Sequence, residues 1–347
     1  MSSLDVSLGN HLSHEQFPNP KNDFDHTGVA GFIGSEVARQ LLDTGHRVIG
    51  VDNLNDYYPV ELKEYRLGQL EGRLGFEFFP IDIEDKPDLT KLFAKYSFAA
   101  VINLAARAGV RASIQRPDNY ITTNVTGCLN LLELVREFGI KKLVLASTSS
   151  LYAGQPMPFE ETAPTDRPIS PYAASKKAAE VMAYTYHHLY KIDVSIVRYF
   201  TVYGPAGRPD MSTYRFINWV ANGQPIQLYG DGKQQRDFTF VTDIANGTIA
   251  ALKPVGYELF NLGANRPYSI LDMIGRIEKI VGKKATIEFL PTDPTNMKGT
   301  WAATEKASKI LDWRPKVGFD EGLCLTFEWH REYFEFDKSP LAITKQL

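Results

Sequence analysis

Tyr172-Ala173-Ala174-Ser175-Lys176 puts a phenol and an ammonium four residues apart, one turn along one face of a helix. A phenol with a pKa of about 10 is a poor base at neutral pH, and a neighbouring cation stabilises its phenolate. A Tyr and a Lys recur at this spacing by chance in many helices, so the pair needs company. Ser147-Thr148-Ser149-Ser150 supplies it, directly after the apolar run 142–146, at the strand edge where open α/β sheets bind ligands. A hydroxyl there can contact a reacting oxygen, although serines after a strand more often form turns.

The third feature is Gly28-Val29-Ala30-Gly31-Phe32-Ile33-Gly34, glycines three apart at the mouth of a helix. Such a loop lets backbone N–H groups approach a pyrophosphate where the helix dipole favours negative charge. One element later a strand ends at Val51-Asp52, a carboxylate placed for ribose hydroxyls. An acid there repels a 2′-phosphate, so the cofactor expected is NAD rather than NADP. Asp82-Ile83 follows the next strand and can meet the adenine, a surface turn being the competing reading.

These groups need a scaffold, and from Gly28 onward short β-branched runs alternate with longer amphipathic ones. Helices are expected at 32–44, 88–96, 120–138 and 171–190. Strands are expected at 47–51, 76–81, 100–104, 142–146 and 194–199. Strands this apolar belong inside a parallel sheet covered on both faces. Beyond Thr201 the rhythm loosens into Gly/Pro-rich turns, with helices at 214–222, 243–252, 270–281 and 304–311. The fold expected is α/β: a Rossmann-type doubly wound parallel sheet with a smaller C-terminal α/β substrate lobe. Residues 1–25 read as a loosely ordered leader, 26–200 as the NAD-binding domain with a later contribution around 236–262, and 201–347 mainly as the second lobe.

One part does not fit. A buried strand must precede Gly28, yet Asp23-Phe24-Asp25-His26 offers charges, and burying one costs several kcal/mol unless it is protonated or paired. The expectation is a short, poorly ordered first strand with weak NAD retention, or residues 4–8 filling its place.

The 347 residues exceed one ordinary core, and with 44% hydrophobic and 23% charged residues the chain is globular. With 38 basic and 41 acidic residues, a net charge of −3, there is no footprint for nucleic acid. No stretch has the roughly 20 apolar residues that cross a bilayer, so no membrane is expected. The two cysteines, Cys128 and Cys324, lie far apart without metal-ligand spacing, which fits a reducing cytoplasm and no zinc site. His187-His188 point to different sides of a helix and lack a third ligand, so a surface role is expected over a metal.

Together these motifs resemble the extended short-chain dehydrogenase/reductases, and among them the NAD-dependent nucleotide-sugar epimerases. The matching segments are GVAGFIGS from Gly28, VDNLNDYY from Val51, NLAARAGVR from Asn103, STSSLY from Ser147, YAASK from Tyr172, RYFTVYGPAGRPDM from Arg198 and RDF from Arg236. Within that group the chain is most similar to the UDP-glucuronate 4-epimerases. The resemblance implies a UDP-sugar held between the lobes, with Tyr172 as base, Lys176 on the nicotinamide ribose and Thr148 bonded to the 4-oxygen. It adds Asn53, Leu104, Ala105 and Ala106 to the NAD contacts already given by Gly28, Gly31, Phe32, Ile33, Gly34, Asp52, Asp82 and Ile83. It further implies a homodimer through a four-helix bundle built from the faces 119–138 and 173–190.

Related chemistries are separated at the residues beside Thr148. Nucleotide-sugar dehydratases resemble STDEVY there, and UDP-glucuronate decarboxylases carry a Glu at the second position; this chain has Ser149 and Ser150 at the substrate instead. Epimerisation through a 4-keto sugar is the activity implied, with Arg111 and Arg208 as candidates for the sugar carboxylate and Arg236 for the diphosphate. Thr201 stands where hexose epimerases carry Asn, which supports the uronate branch. A UDP-glucose-type epimerase, a decarboxylase and a silent NAD-binding regulator with a damaged first strand are the alternatives.

Overall fold

The structure, a computed structural model, describes residues 23–292 and 297–336. The expectations for residues 1–22, with the substitute strand at 4–8, lie outside the described residues. The first lobe runs β1 (Asp23–Thr27), α1 (Phe32–Asp43), β2 (Arg47–Val51), α2 (Val60–Gly68), β3 (Phe76–Phe79), α3 (Lys86–Lys95), β4 (Ala100–Asn103), α4 (Val110–Gln115), α5 (Pro117–Ile121), α6 (Cys128–Glu137), β5 (Lys142–Thr148), α7 (Pro171–Tyr190) and β6 (Asp193–Tyr199). The chain then leaves through β7 (Thr201–Tyr203), α8 (Ser212–Ala221), β8 (Ile226–Tyr229), β9 (Gln235–Phe240) and α9 (Val241–Ala250), and returns with β10 (Tyr257–Leu262). It ends with β11 (Pro267–Ser269), α10 (Ile270–Val281), β12 (Ile287–Leu290), α11 (Glu305–Leu311) and α12 (Phe319–Phe336).

The main sheet has seven strands in the order β10-β6-β5-β4-β1-β2-β3. Each of its pairings is parallel. Strand order reverses between β1 and β4, and in such sheets the crevice at that point binds the ligand. Val37, Leu41, Ile244 and Ala245 cover one face, from α1 and α9; Leu89, Leu131, Val135 and Ala183 cover the other, from α3, α6 and α7. The smaller lobe holds a three-stranded sheet, β11-β9-β7, and the pair β12-β8, around Tyr203, Ile217, Phe238, Met273 and Leu323. Two expected limits move. The first domain already includes Asp23, inside the expected leader, and β9 joins the smaller lobe, so the later contribution to the main sheet is β10.

The first strand corrects the expectation most. Residues 23–27 pair along their length with β2 and, from Phe24 to Thr27, with β4. Asp23, at the open end, pairs with Arg47 at 3.0 Å. Asp25 lies between Ile49 and Val101, fully buried, and neither carboxyl oxygen has a hydrogen-bond partner. Burial pushes its pKa up to about 8, so the group is a neutral acid at pH 7. His26 faces the other side, also fully buried, with Nε2 at 2.7 Å from the Gly34 carbonyl. Burial holds its pKa down, and the one N–H of a neutral ring is placed to donate to the Gly34 carbonyl, since the Ile102 carbonyl lies 3.4 Å from Nδ1. The charge expected to disrupt the strand is thus discharged by titration. The objection that favoured a silent regulator falls with it.

The Asp25 carboxyl is more basic in the folded chain (about 8) than in the unfolded one (3.8), so folding takes up a proton between those values. Its contribution to stability is complete below about pH 4 and is lost as pH rises through about 8. Asp25→Val should therefore raise the melting temperature by about 2–5 °C at pH 8, with a smaller gain at pH 5. A gain that is equal at both pH values, or larger at pH 5, would show that Asp25 is not buried as a neutral acid.

Candidate active site

Both lobes line one cleft of about 760 Å³, a volume in the range of small-ligand sites. At its floor, Gly28 follows β1 with φ +76°, and a Cβ there would lie 2.7 Å from the Ala105 nitrogen. A Cβ on Gly34 would fall 2.0 Å from the Gly28 carbonyl oxygen, so the loop closes onto the first turn of α1 only with glycine. That turn starts at Gly31 with no side-chain cap. An uncapped helix start facing a cleft fits a pyrophosphate.

Asp52, at the end of β2, is nearly buried; its Oδ2 accepts from the Ala30 N–H at 3.2 Å and its Oδ1 from the Leu54 N–H at 2.9 Å. The carboxylate therefore ties the glycine loop to the turn after β2, and its remaining lone pairs suit ribose hydroxyls. The Asn53 amide donates to Asp82 at 2.6 Å, joining the loops that follow β2 and β3. Ile83, Leu104, Ala105 and Ala106 complete this half, beside Phe32 and Ile33. Two cations here had no reading from sequence: Lys63, whose ammonium donates to the Asn55 carbonyl at 2.6 Å, and Arg107. Burial lowers the Lys63 pKa to about 8, with Asp52 opposing the shift.

At the reacting end β5 runs two residues past its expected limit, so Ser147 and Thr148 end the strand, and Ser149 and Ser150 begin a short 3₁₀ turn that Thr148 caps. Ser170 caps α7 through the Ala173 N–H at 3.1 Å and Pro171 opens it, which sets Tyr172 in the first turn and Lys176 in the next. Thr148 and Tyr172 line the same end of the cleft. Burial raises the Tyr172 pKa above its ordinary value, while Thr148 and Arg208 pull it back. The expected cation was Lys176; the one whose charge acts on the phenol is Arg208. Burial lowers Lys176 itself to about 8, with Cys128 and Glu180 working to keep it charged.

The two candidates for a substrate carboxylate separate. Arg208 lies beside Tyr57 and Tyr172 and is held by Asp210 through Nε at 3.0 Å and Nη2 at 2.5 Å. Arg111 stacks 4.0 Å above the Tyr229 ring on β8, near Arg215. Arg236, on β9, is lowered to about 10 by burial and also lines the cleft, as does Thr201 at the start of β7.

The NAD dependent epimerase/dehydratase family matches residues 27–263. This chain belongs to that family. Over 314 residues it is 56% identical to UDP-glucuronate 4-epimerase of Thermodesulfobacterium geofontis, covering 90% of this chain and 97% of that one. It is similar in structure to UDP-glucuronic acid 4-epimerase from Bacillus cereus in complex with UDP-glucuronic acid and NAD, with a TM-score of 0.85 and 36% identity over 90% of this chain and 99% of the other. UDP-glucose 4-epimerase of Thermus thermophilus in complex with NAD gives a TM-score of 0.81 and 32% identity over 89% and 99% of the two chains.

In this member of the epimerase/dehydratase family the cleft gathers each residue singled out from the sequence, from the glycine loop to Arg236. Sequence reading missed the residues that brace it. Asn124 sits in a π-helical turn, Thr122–Gly127, between α5 and α6, where one continuous helix was expected. Its amide donates to the Arg107 carbonyl and to Ser175 Oγ, both at 2.9 Å, and its oxygen accepts from the Arg107 N–H at 2.8 Å. The loop after β4 is thereby fastened to the catalytic helix. The polar run Thr122-Thr123-Asn124 inside an apolar pattern was the available signal.

Proposed function

We propose that the chain is a UDP-glucuronate 4-epimerase, interconverting UDP-glucuronate and UDP-galacturonate. The reading is supported by one juxtaposition: a guanidinium, Arg208, at the reacting end beside Tyr172, with Ser149 and Ser150 rather than carboxylates next to Thr148. Bound NAD supplies a hydride acceptor at the sugar C4 that gives the hydride back within one turnover. Tyr172 removes the proton from the 4-hydroxyl as the 4-keto sugar forms and returns it after the ring has turned over. Thr148 hydrogen-bonds the 4-oxygen. Lys176, one turn along α7, meets a ribose hydroxyl, and the charge of Arg208 favours the phenolate. Arg208 and Thr201 receive the sugar carboxylate, and Arg111 and Arg236 lie toward the uridine diphosphate.

One observation favours a neutral sugar as the second reading. Asp210 already occupies two donors of Arg208, so the net charge offered to an incoming carboxylate is small. Incubation with UDP-glucuronate, followed by separation of UDP-sugars, decides between them: a UDP-galacturonate peak is expected, and turnover of UDP-glucose alone overturns the uronate reading. Tyr172→Phe should lower turnover by about 10²–10⁴-fold with UDP-sugar binding kept. More than a tenth of wild-type turnover would remove Tyr172 as base. Arg208→Ala should weaken UDP-glucuronate about 10–150-fold more than UDP-glucose. Equal weakening of both would move Arg208 away from the carboxylate.

We also propose a homodimer through a four-helix bundle built on the faces 119–138, from α5 into α6, and 173–190 on α7. Ile121 on α5 and Val181 and Tyr184 on α7 are half exposed, and on α7 the two are three residues apart on one face. Light scattering should give twice the chain mass for the wild type and one chain mass for Val181→Glu; a wild-type monomer would exclude the dimer. The free thiols of Cys128 and Cys324 support a cytoplasmic location.

A further inference from the structure

Arg66 lies on α2, a helix outside the motifs that define the site, and only 3% of it is exposed. Its guanidinium makes contacts in three directions. Nη1 donates to the Ala30 carbonyl in the glycine loop at 3.2 Å and to the Tyr58 hydroxyl at 2.7 Å. Nε donates to the Ala206 carbonyl at 2.9 Å and Nη2 to the Gly207 carbonyl at 3.3 Å, the two residues immediately before Arg208. The rings of Tyr58 and Phe32 lie 5.4 and 5.9 Å from its central carbon.

The segment it holds does not hold itself. Ala206 has φ +53° and Gly204 φ +150°, and an alanine in the left-handed region persists only where its surroundings over-determine it. All four acceptors are neutral oxygens, so this buried cation spends its donors on backbone and phenol rather than on a carboxylate. On the far side, the Ala30 N–H is fixed by Asp52. A continuous set of bonds therefore runs from the carboxylate that faces the ribose to the backbone that carries Arg208. A planar fork reaches three segments at once, which a lysine ammonium on a flexible stem does not.

We propose that Arg66 is the positioning residue that registers the Arg208 loop against the glycine loop and so sets the preference for a carboxylated sugar. The inference rests on the reading of Arg208 as the carboxylate contact. It is tested by a double-mutant cycle of Arg66→Met and Arg208→Ala in holoenzymes matched for bound NAD, measuring dissociation constants for UDP-glucuronate, UDP-glucose and UDP. Arg66→Met should reduce the preference for UDP-glucuronate over UDP-glucose on the order of tenfold, keep UDP affinity within about twofold, and add little once Arg208 is already alanine. Equal losses for both sugars, or effects that simply add, overturn the proposal while leaving Arg208 in place. An unchanged preference in Arg208→Ala alone overturns the carboxylate reading, and the inference with it. Should Arg66→Met fail to fold, Arg66→Lys is measured in its place: a reduced preference supports the fork, and a wild-type preference overturns it.

Discussion

The register of one five-residue strand decides where each part of the cleft begins. β1 sets Thr27 level with Val51 on one side and Asn103 on the other, so the glycine loop, the Asp52 turn and the loop after β4 leave the sheet side by side. The Gly28 N–H donates to the Val51 carbonyl at 2.7 Å and Thr27 Oγ1 to the Asn103 side chain at 2.9 Å. A slip of one residue would turn each side chain to the opposite face and withdraw Gly28 from the Ala105 backbone. Pairing on both sides satisfies the backbone of β1 whatever its side chains. The cost of its composition falls on Asp25 and His26, which both give up their charge.

The catalytic helix is held by the opposite solution. Glu180 and Arg198 are each 2% exposed and face each other in a fork, Nε at 2.8 Å and Nη2 at 2.7 Å, with the Ser147 hydroxyl on the same carboxylate at 2.6 Å. Nη1 of Arg198 goes on to the Tyr152 hydroxyl at 2.7 Å, which donates to Asn261 on β10. Desolvation offsets most of what such a pair contributes to stability, and the gain lies in directional fixing. Ser147 precedes Thr148, and Glu180 follows Lys176 by one turn. The clamp thus fixes the hydroxyl of β5 relative to the phenol and ammonium of α7, a register that apolar packing alone, being non-directional, does not impose.

The glycine loop, Asp52, Asp82 and the serines after Thr148 were legible because their motifs follow strand ends, where side-chain type is not set by the core, and Tyr172 and Lys176 because their spacing fits one face of α7. Several of the misses share one physical origin: polar side chains buried in positions that hydrophobic periodicity expects to be apolar. On α2 the buried residues are Leu62, Lys63, Arg66 and Leu67, a clear helical face in which half the members are cations. On α12 the inward positions Phe319, Leu323, Thr326 and His330 follow the same spacing with a hydroxyl and an imidazole among them. In β1 two of the three interior residues are Asp and His. In each of these elements the apolar pattern is too broken to mark a helix or a buried strand. The limits of α7 and α10, whose buried faces are mostly aliphatic or small, fall where the pattern puts them.

The Arg208–Asp210 pair bears on both recognition and reaction. A guanidinium has five N–H donors, and Asp210 takes one edge, leaving the other for a ligand. The pair attracts an anion weakly at long range, since its charges nearly cancel, but it presents donors already fixed. A free arginine gives up about 2 kcal/mol of rotamer entropy on being ordered, which this one has lost before the ligand arrives. The same pairing restricts the chemistry open to the bound sugar. Among the described residues the acidic side chains lining the cleft are Asp52, Asp82 and Asp210. The first two accept from the glycine loop, the turn after β2 and Asn53, and the third is tied to Arg208, so among the described residues no carboxylate stands beside Thr148 to draw a proton from the sugar ring. Under the proposed reading, proton traffic is confined to Tyr172 and the oxygen on C4, the carbon whose configuration inverts.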